Sequence, residues 1–287
     1  MLRKLFAASA AVAGFFTGVA LLDYKHLEVT RTKINIPCDS ESKSLRIVHI
    51  SDLHDFEYGS GNSALFSKVK AAKPDVICIS GDLINSRMKA FDNVLLLLEK
   101  LMSLNIPVLY GYGNHEENFR DCFEDEFYDY IRRVKELGVT VLNDDYYEYG
   151  DIVFAGYTNK LYQFGKFKGV YDLQYDEIAH EFTLPPELTD RKIILLAHNP
   201  MYFDLYREWG AHLVLSGHLH GGIIRLPGIG GIISPQKIFS TAYSAGLYKE
   251  DNRYMYVSRG LGVHTIPVRI FNRPELAVLD VDFIKEE

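Results

Sequence analysis

Cysteine is scarce in this chain. Its three copies, Cys38, Cys78 and Cys122, stand at no C-x-x-C spacing and cannot all pair, which excludes a zinc-thiolate site or a disulfide framework as the organising feature. Cys78 lies inside an apolar run and reads as a small core residue. Positive charge is also short. The 31 Lys and Arg against 38 Asp and Glu leave a net charge of -7, a field that repels a nucleic-acid backbone, so no nucleic-acid partner is expected. There is no repeat and no low-complexity tract, and 47% hydrophobic with 24% charged residues is the composition of an ordinary folded protein. At 287 residues one sizeable core suffices, and a second domain is not required.

After Arg3 and Lys4 the run Leu5 to Leu22 carries no charge and reaches the short limit for spanning a bilayer. It reads as a membrane anchor, with a cleaved signal peptide (small residues Gly18-Val19-Ala20) or a buried helix as the other readings. The basic flank places the N-terminus inside and the catalytic domain outside the cytoplasm, although Lys25, Arg31 and Lys33 soften that asymmetry. The expected organisation is an anchor or signal over 1–22, a linker over 23–43 with one edge strand from His26 to Ile36, and a catalytic domain over 44–287.

Within that domain, strand-length apolar runs alternate with segments of helical period at Asn62 to Ala72, Ala90 to Leu104 and Glu124 to Leu137. That alternation predicts an α/β fold with crossover helices. From Tyr146 onward strands dominate: Ile152 to Tyr157, Lys192 to Ala197, His212 to Ser216, Tyr254 to Ser258 and Leu276 to Val281. A second sheet packed on the first is the natural arrangement. The segment Thr158 to Glu181, rich in Tyr and Phe and without a clean period, reads as a lid or as a surface excursion.

Five short clusters punctuate this pattern: Asp52-Leu53-His54, Gly81-Asp82, Gly113-Asn114-His115-Glu116, His198, and Gly217-His218-Leu219-His220. Each follows an apolar run and therefore falls at a strand end, so the clusters are expected along one edge of the fold. Carboxylate, amide and neutral imidazole donors suit Mn²⁺, Fe²⁺, Zn²⁺ or Co²⁺. The seven candidate ligands Asp52, His54, Asp82, Asn114, His198, His218 and His220 are too many for one tetrahedral ion and about right for two ions sharing a carboxylate. Two ions roughly 3.5 to 4 Å apart clamp a phosphoryl oxygen and lower the pKa of a bound water enough to supply hydroxide near neutral pH. The chemistry indicated is phosphoester hydrolysis.

The ordered set D-x-H, G-D, G-N-H-[DE], H and G-H-x-H resembles the signature of the calcineurin-like binuclear metallophosphoesterases over roughly residues 45 to 283. The resemblance implies a four-layer α/β sandwich of two packed mixed sheets flanked by helices. It also implies two divalent ions, with Mn²⁺ favoured. Asp52, His54 and His220 would hold one ion, Asn114, His198 and His218 the other, and Asp82 would bridge them. His115 would hydrogen-bond the phosphate and protonate the leaving group, with Glu116 orienting its ring.

The C-terminal half, with Ile224-Arg225-Leu226-Pro227, Ala245-Gly246-Leu247-Tyr248, Val257 to Gly262 and Arg269 to Leu276, is similar to a bacterial membrane-associated subgroup. That subgroup includes UDP-2,3-diacylglucosamine pyrophosphatases. Leu219 and Ile223 depart from its pattern and leave the ligands intact.

The implied substrate is a phosphodiester or pyrophosphate on a lipid-linked or nucleotide-linked molecule, a phosphorylated small molecule or lipid, with a broad-specificity phosphodiesterase or phosphomonoesterase of exported metabolites as the alternative. Asn114, Arg225, Arg259 and Arg269 are the candidates for touching it, because Arg presents paired planar donors to a second phosphate. The apolar stretch Ile223, Ile224, Leu226, Ile229, Ile232 and Ile233 reads either as a membrane-facing loop or as a β-hairpin of the second sheet with a buried face. A non-catalytic scaffold would show a broken ligand set, and none of the seven positions is broken. His49 and His212 read as core histidines, and His26 and His180 as surface positions.

Overall fold

In the computed structural model of the chain, the described residues are 26–38, 43–87, 90–164, 171–222, 224–226, 230–231, 243–263 and 268–285, with Gly18, Asp23 and Tyr24. The first sheet contains β1 (Glu28–Cys38), β2 (Lys43–Ile50), β3 (Val76–Ser80), β4 (Val108–Gly111), β5 (Thr140–Leu142) and β14 (Glu275–Lys285), in the order β1-β14-β2-β3-β4-β5. The second contains β6 (Asp145–Tyr149), β7 (Ile152–Tyr157), β8 (Lys192–Ala197), β9 (Leu213–Ser216), β12 (Gly246–Glu250) and β13 (Arg253–Val257), in the order β12-β13-β9-β8-β7-β6. Both are mixed: β2 to β5 run parallel while β14 opposes β2, and β7, β8, β9 and β13 run parallel while β6 and β12 oppose their neighbours.

Three cores separate four layers, as the sandwich requires. Period-2 alternation divides each strand between them. Ile47, Val76, Cys78 and Leu109 of the first sheet meet Phe154, Ile194, Leu196 and Leu215 of the second. On its outer face the first sheet turns Val48, Ile77 and Ile79 to the helices α1 (Ser63–Ala72), α2 (Asp92–Met102), α3 (Asn114–Cys122) and α4 (Glu124–Glu136). The second turns Val153, Ala155, Leu195 and Val214 to α5 (Tyr175–Glu181) and α6 (Phe203–Trp209). Strands covered on both faces read as unbroken apolar runs, and β3 is buried at every position. The helices form for ordinary reasons. In α2 the buried residues Val94, Leu95, Leu97, Leu98 and Leu101 make one apolar stripe. In α4 the acids Glu124, Asp125 and Glu126 open the helix and Arg133 and Lys135 close it, matching the macrodipole.

One expectation changes. Among the described residues no helix is long and apolar enough to cross a membrane, which overturns the membrane-associated placement and its orientation outside the cytoplasm. The run 5–22 that carried that expectation lies, apart from Gly18, outside the described residues. The edge strand expected within 23–43 is present. This strand, β1, pairs in parallel with β14 over eleven residues and forms the edge of the first sheet. In the apolar stretch after His220, β10 (Arg225–Leu226) pairs antiparallel with β11 (Gly230–Gly231); the pairing is that of a hairpin, but it forms a two-stranded sheet of its own and not part of the second sheet. Ile223, Ile229, Ile232 and Ile233 lie outside the described residues.

Candidate metal centre

The clusters gather at the carboxyl ends of parallel strands, where α/β sheets bind ligands. Asp52 and His54 follow β2, Asp82 follows β3, and Asn114 and His115 open α3 after β4. His198 follows β8, and His218 and His220 follow β9. Asp52, His54, Asp82, His218 and His220 have φ between 49° and 69°, a left-handed conformation that costs a non-glycine residue about 1–2 kcal/mol. Ladder-like bonds between the loops hold it in place. Asp52 N–H donates to Gly81 O (3.1 Å), His54 N–H to Asp82 O (3.0 Å) and Gly217 N–H to His198 O (3.1 Å).

Two glycines are there for closeness. A side chain at Gly217 would strike Ser51 Oγ and Asp52 Oδ2, and one at Gly113 would strike Asp82 Oδ1.

The side chains converge into three overlapping groups, Asp52/His54/His220, His54/Asp82/His115 and Asp82/His198/His218, each with its ligand atoms within 4.8 Å of one another. His54 Nε2 and His220 Nε2 face each other at 3.0 Å. His220 Nε2 is 3.3 Å from Asp52 Oδ1. His198 Nε2 lies 3.2 Å from Asp82 Oδ2 and 3.7 Å from Asp52 Oδ1. Its other nitrogen, Nδ1, is 2.7 Å from Ser80 O, which places a proton on Nδ1 and leaves Nε2 as the atom that faces the two carboxylates.

Asp52 and Asp82 are fully buried. Burial pushes Asp52 up to about 6, helped by the charge of Asp82 and opposed by His198. Asp82 goes the other way: burial would raise it, but His198, His115 and His54 hold it well below the usual carboxylate range. Burial would likewise lower His198, yet the two carboxylates outweigh it and raise the imidazole to about 9.

This donor set fits divalent ions. The oxygen and imidazole donors are those that borderline metals take. Asn114 Oδ1 and His198 Nε2 are buried and make no hydrogen bond, a state that is expensive unless something else satisfies them.

Glu116 does not serve as the expected partner of His115. Its carboxylate accepts from the backbone N–H groups of Asp82 (2.8 Å), Gly113 (2.9 Å), Leu83 (2.9 Å) and Ile84 (3.2 Å), and from Tyr110 OH (2.7 Å). It ties the Asp82 loop to the start of α3. His115 instead accepts at Nδ1 from Ser86 N–H (3.1 Å), and its own N–H donates to Asp82 Oδ1 (2.8 Å). Ser86 therefore selects the tautomer with the proton on Nε2, and no motif marked it in advance.

Two of the three arginines are committed elsewhere. Arg269 is buried and donates to the carbonyls of Arg259 (2.9 Å), Gly260 (3.2 Å), Gly262 (2.5 Å) and Asn272 (3.4 Å), with burial lowering it to about 10. Arg259 is ion-paired with Glu28 (3.0 Å) and Glu275 (3.3 Å). Arg225 Nη1 is buried without a hydrogen bond. Phe164, another residue no motif marked, packs its ring on His218 (4.8 Å between centroids) and His198 (6.0 Å).

A fold of two packed mixed sheets with an Asp, Asn and His centre on its strand ends is that of a metal-dependent phosphoesterase. The family model for calcineurin-like phosphoesterases matches residues 45–222, and the chain belongs to that family. It is 30% identical to the Bacillus subtilis metallophosphoesterase YkuE over 95% of this chain and 92% of that protein. It is 25% identical to the Escherichia coli phosphodiesterase YaeI over 97% of this chain and 98% of that protein. Among solved structures it is similar to TT1561 of Thermus thermophilus, at TM-score 0.49 and 15% identity over 77% of this chain and 90% of the other.

Proposed function

We propose that this chain is a phosphodiesterase working with two divalent ions, Mn²⁺ favoured. Asp52, His54 and His220 would hold one, Asn114, His198 and His218 the other, and Asp82 would be shared. The observation that carries this reading is the overlap of the three ligand groups at His54 and Asp82. Bound there, such ions supply Lewis acidity toward a phosphoryl oxygen and activation of a water. The chain's own residues do the rest. Buried carboxylates and imidazoles fix the ion positions, and the left-handed loops hold them rigid. His115, its Nδ1 occupied by Ser86 N–H, presents Nε2–H to a phosphate oxygen and then to the leaving oxygen.

A diphosphate, as in UDP-2,3-diacylglucosamine, asks for cationic donors beyond the metals. Of the three arginines considered for that role, Arg259 and Arg269 are engaged with carboxylates and carbonyls among the described residues, and the diester is the simpler substrate.

With Mn²⁺ the full chain is expected to hydrolyse bis-p-nitrophenyl phosphate, to lose that activity in chelator and to regain it on Mn²⁺ addition. Activity that survives exhaustive chelation, with no metal found by mass spectrometry, defeats the proposal. A second expectation concerns His115→Asn. It lowers kcat by about 10²-fold, in the range for loss of a general acid, while metal content stays at the wild-type value. The loss is larger for a diester with an alkoxide leaving group than for one releasing p-nitrophenol. Equal losses on both would remove the acid role.

A further inference from the structure

The metal centre leaves unexplained the Tyr- and Phe-rich segment that follows β7. Its first turn is bolted to the residue beside a candidate ligand. Asn159, Gln163 and Asn199 are fully buried, and Asn199 directly follows His198. Asn159 Nδ2 donates to Tyr206 OH (2.9 Å) and Gln163 Oε1 (3.1 Å), while Asn159 Oδ1 accepts from Asn199 N–H (3.1 Å). Gln163 O accepts from Tyr202 OH (2.7 Å) and Asn199 Nδ2 (3.1 Å), and Gln163 Nε2 donates to Tyr157 OH (3.2 Å). Three buried amides in one connected network make a rigid support, because each would be costly to bury unpaired. A mere surface excursion has no need of it.

The short 3₁₀ helix Leu161–Phe164 carries two aromatic rings with opposite fates. Phe164 is buried against the imidazoles of His218 and His198. Tyr162 is 50% exposed and meets the 42% exposed Tyr171 edge to face at 4.9 Å. Tyr171 OH donates to Glu177 Oε1 (3.3 Å), which fixes the second ring from behind. Adjacent Cα atoms are about 3.8 Å apart, so the Cα of Tyr162 lies within roughly 7.6 Å of that of Phe164. Phe164 thus ties this turn to the candidate ligands His218 and His198, and the exposed tyrosine pair begins two residues before it.

We propose that Tyr162 and Tyr171 form a stacking platform for a nucleobase on the non-leaving side of the phosphodiester; this rests on the phosphodiesterase reading above. Two rings near a right angle offer a flat face and an edge to a planar partner, the arrangement aromatic pairs prefer. Stacking of this kind tolerates any base, since every base has a π-face. An acyl chain calls instead for a groove of aliphatic side chains. The net charge of -7 argues for a single nucleoside rather than a polymer.

The test uses the Mn²⁺-loaded full chain and two diesters with the same leaving group, methyl p-nitrophenyl phosphate and the p-nitrophenyl ester of thymidine monophosphate. The wild type is expected to favour the thymidine ester in kcat/KM by about tenfold, the range of one base stacked on an aromatic side chain, with the difference in KM. Tyr162→Ala and Tyr171→Ala lose the preference, Tyr162→Phe keeps it, and Tyr128→Ala, an exposed tyrosine on α4, leaves it unaltered. Equal kcat/KM for the two esters in the wild type, or a preference that survives both alanine variants, overturns the platform. If neither ester is cleaved, the phosphodiesterase reading fails and binding decides. Thymidine monophosphate held no tighter than methyl phosphate then overturns the platform, and tighter binding lost in Tyr162→Ala upholds it.

Discussion

Asp82→Asn is expected to reduce hydrolysis of bis-p-nitrophenyl phosphate by about 10³-fold, the upper range for removing one preorganised charge-stabilising group. It should also reduce bound Mn²⁺ from two equivalents to one or fewer. The physical reason is its position. Asp82 belongs to two of the three ligand groups and lies 3.2 Å from His198 Nε2 and 3.9 Å from His54 Nε2. It is the one carboxylate that the surrounding imidazoles hold well below its ordinary pKa. Asparagine keeps an oxygen to accept His115 N–H, a bond of 2.8 Å from Asp82 Oδ1, but removes the charge. The variant therefore separates ion binding from loop geometry. Two Mn²⁺ equivalents by mass spectrometry, with wild-type kcat, would rule out a shared carboxylate.

Glu116→Gln is expected to act mainly on stability. Both carboxylate oxygens of Glu116 are filled by donors, four of them backbone N–H groups and one a tyrosine hydroxyl. An amide turns one acceptor into a donor and aims it at donors that remain in place. Breaking a buried charge-assisted cluster from one side costs about 3–5 kcal/mol. For a domain of this size that corresponds to a fall in Tm of about 10 °C. Weaker Mn²⁺ binding accompanies it, since the loops so held carry Asp82 and Asn114. A Tm within 2 °C of wild type, a bound set at roughly the scatter expected of a neutral surface substitution, would show that the cluster does not brace the site.

Glu116 turns away from His115 for a geometric reason. Glu116 follows His115 immediately, but consecutive residues on a helix point about 100° apart and do not face each other. Its partners come instead from the loops after β3 and β4, which only the parallel pairing of those strands brings together. Arg259 and Arg269 are taken up by distant partners for a related reason. Their partners Glu28, Glu275, Gly260 and Gly262 come from β1, from the start of β14 and from a loop, and a guanidinium satisfied by buried carbonyls looks in sequence like any other.

His49 was legible, because it shares the inter-sheet face with Ile47 in a period-2 strand. It is buried there, 2.7 Å from Ser80 Oγ, with burial pushing it down to about 4. His212 is half-buried and accepts Ile193 N–H at Nδ1 (3.2 Å).

By itself the sequence determined the alternation of strands and helices, the strand ends and the kinds of donor atoms placed on them. These are local properties: an apolar period sets which face a residue takes, and a side chain's chemistry travels with its position. Tertiary structure alone decided which donors meet. It set Asp82 between His54 and His198, gave the tautomer of His115 to Ser86, made Glu116 a brace for two loops, and put Phe164 against the imidazoles. Each of those pairings joins segments tens to more than a hundred residues apart, and a polar group's partner depends on which distant strand the sheet order lays beside it.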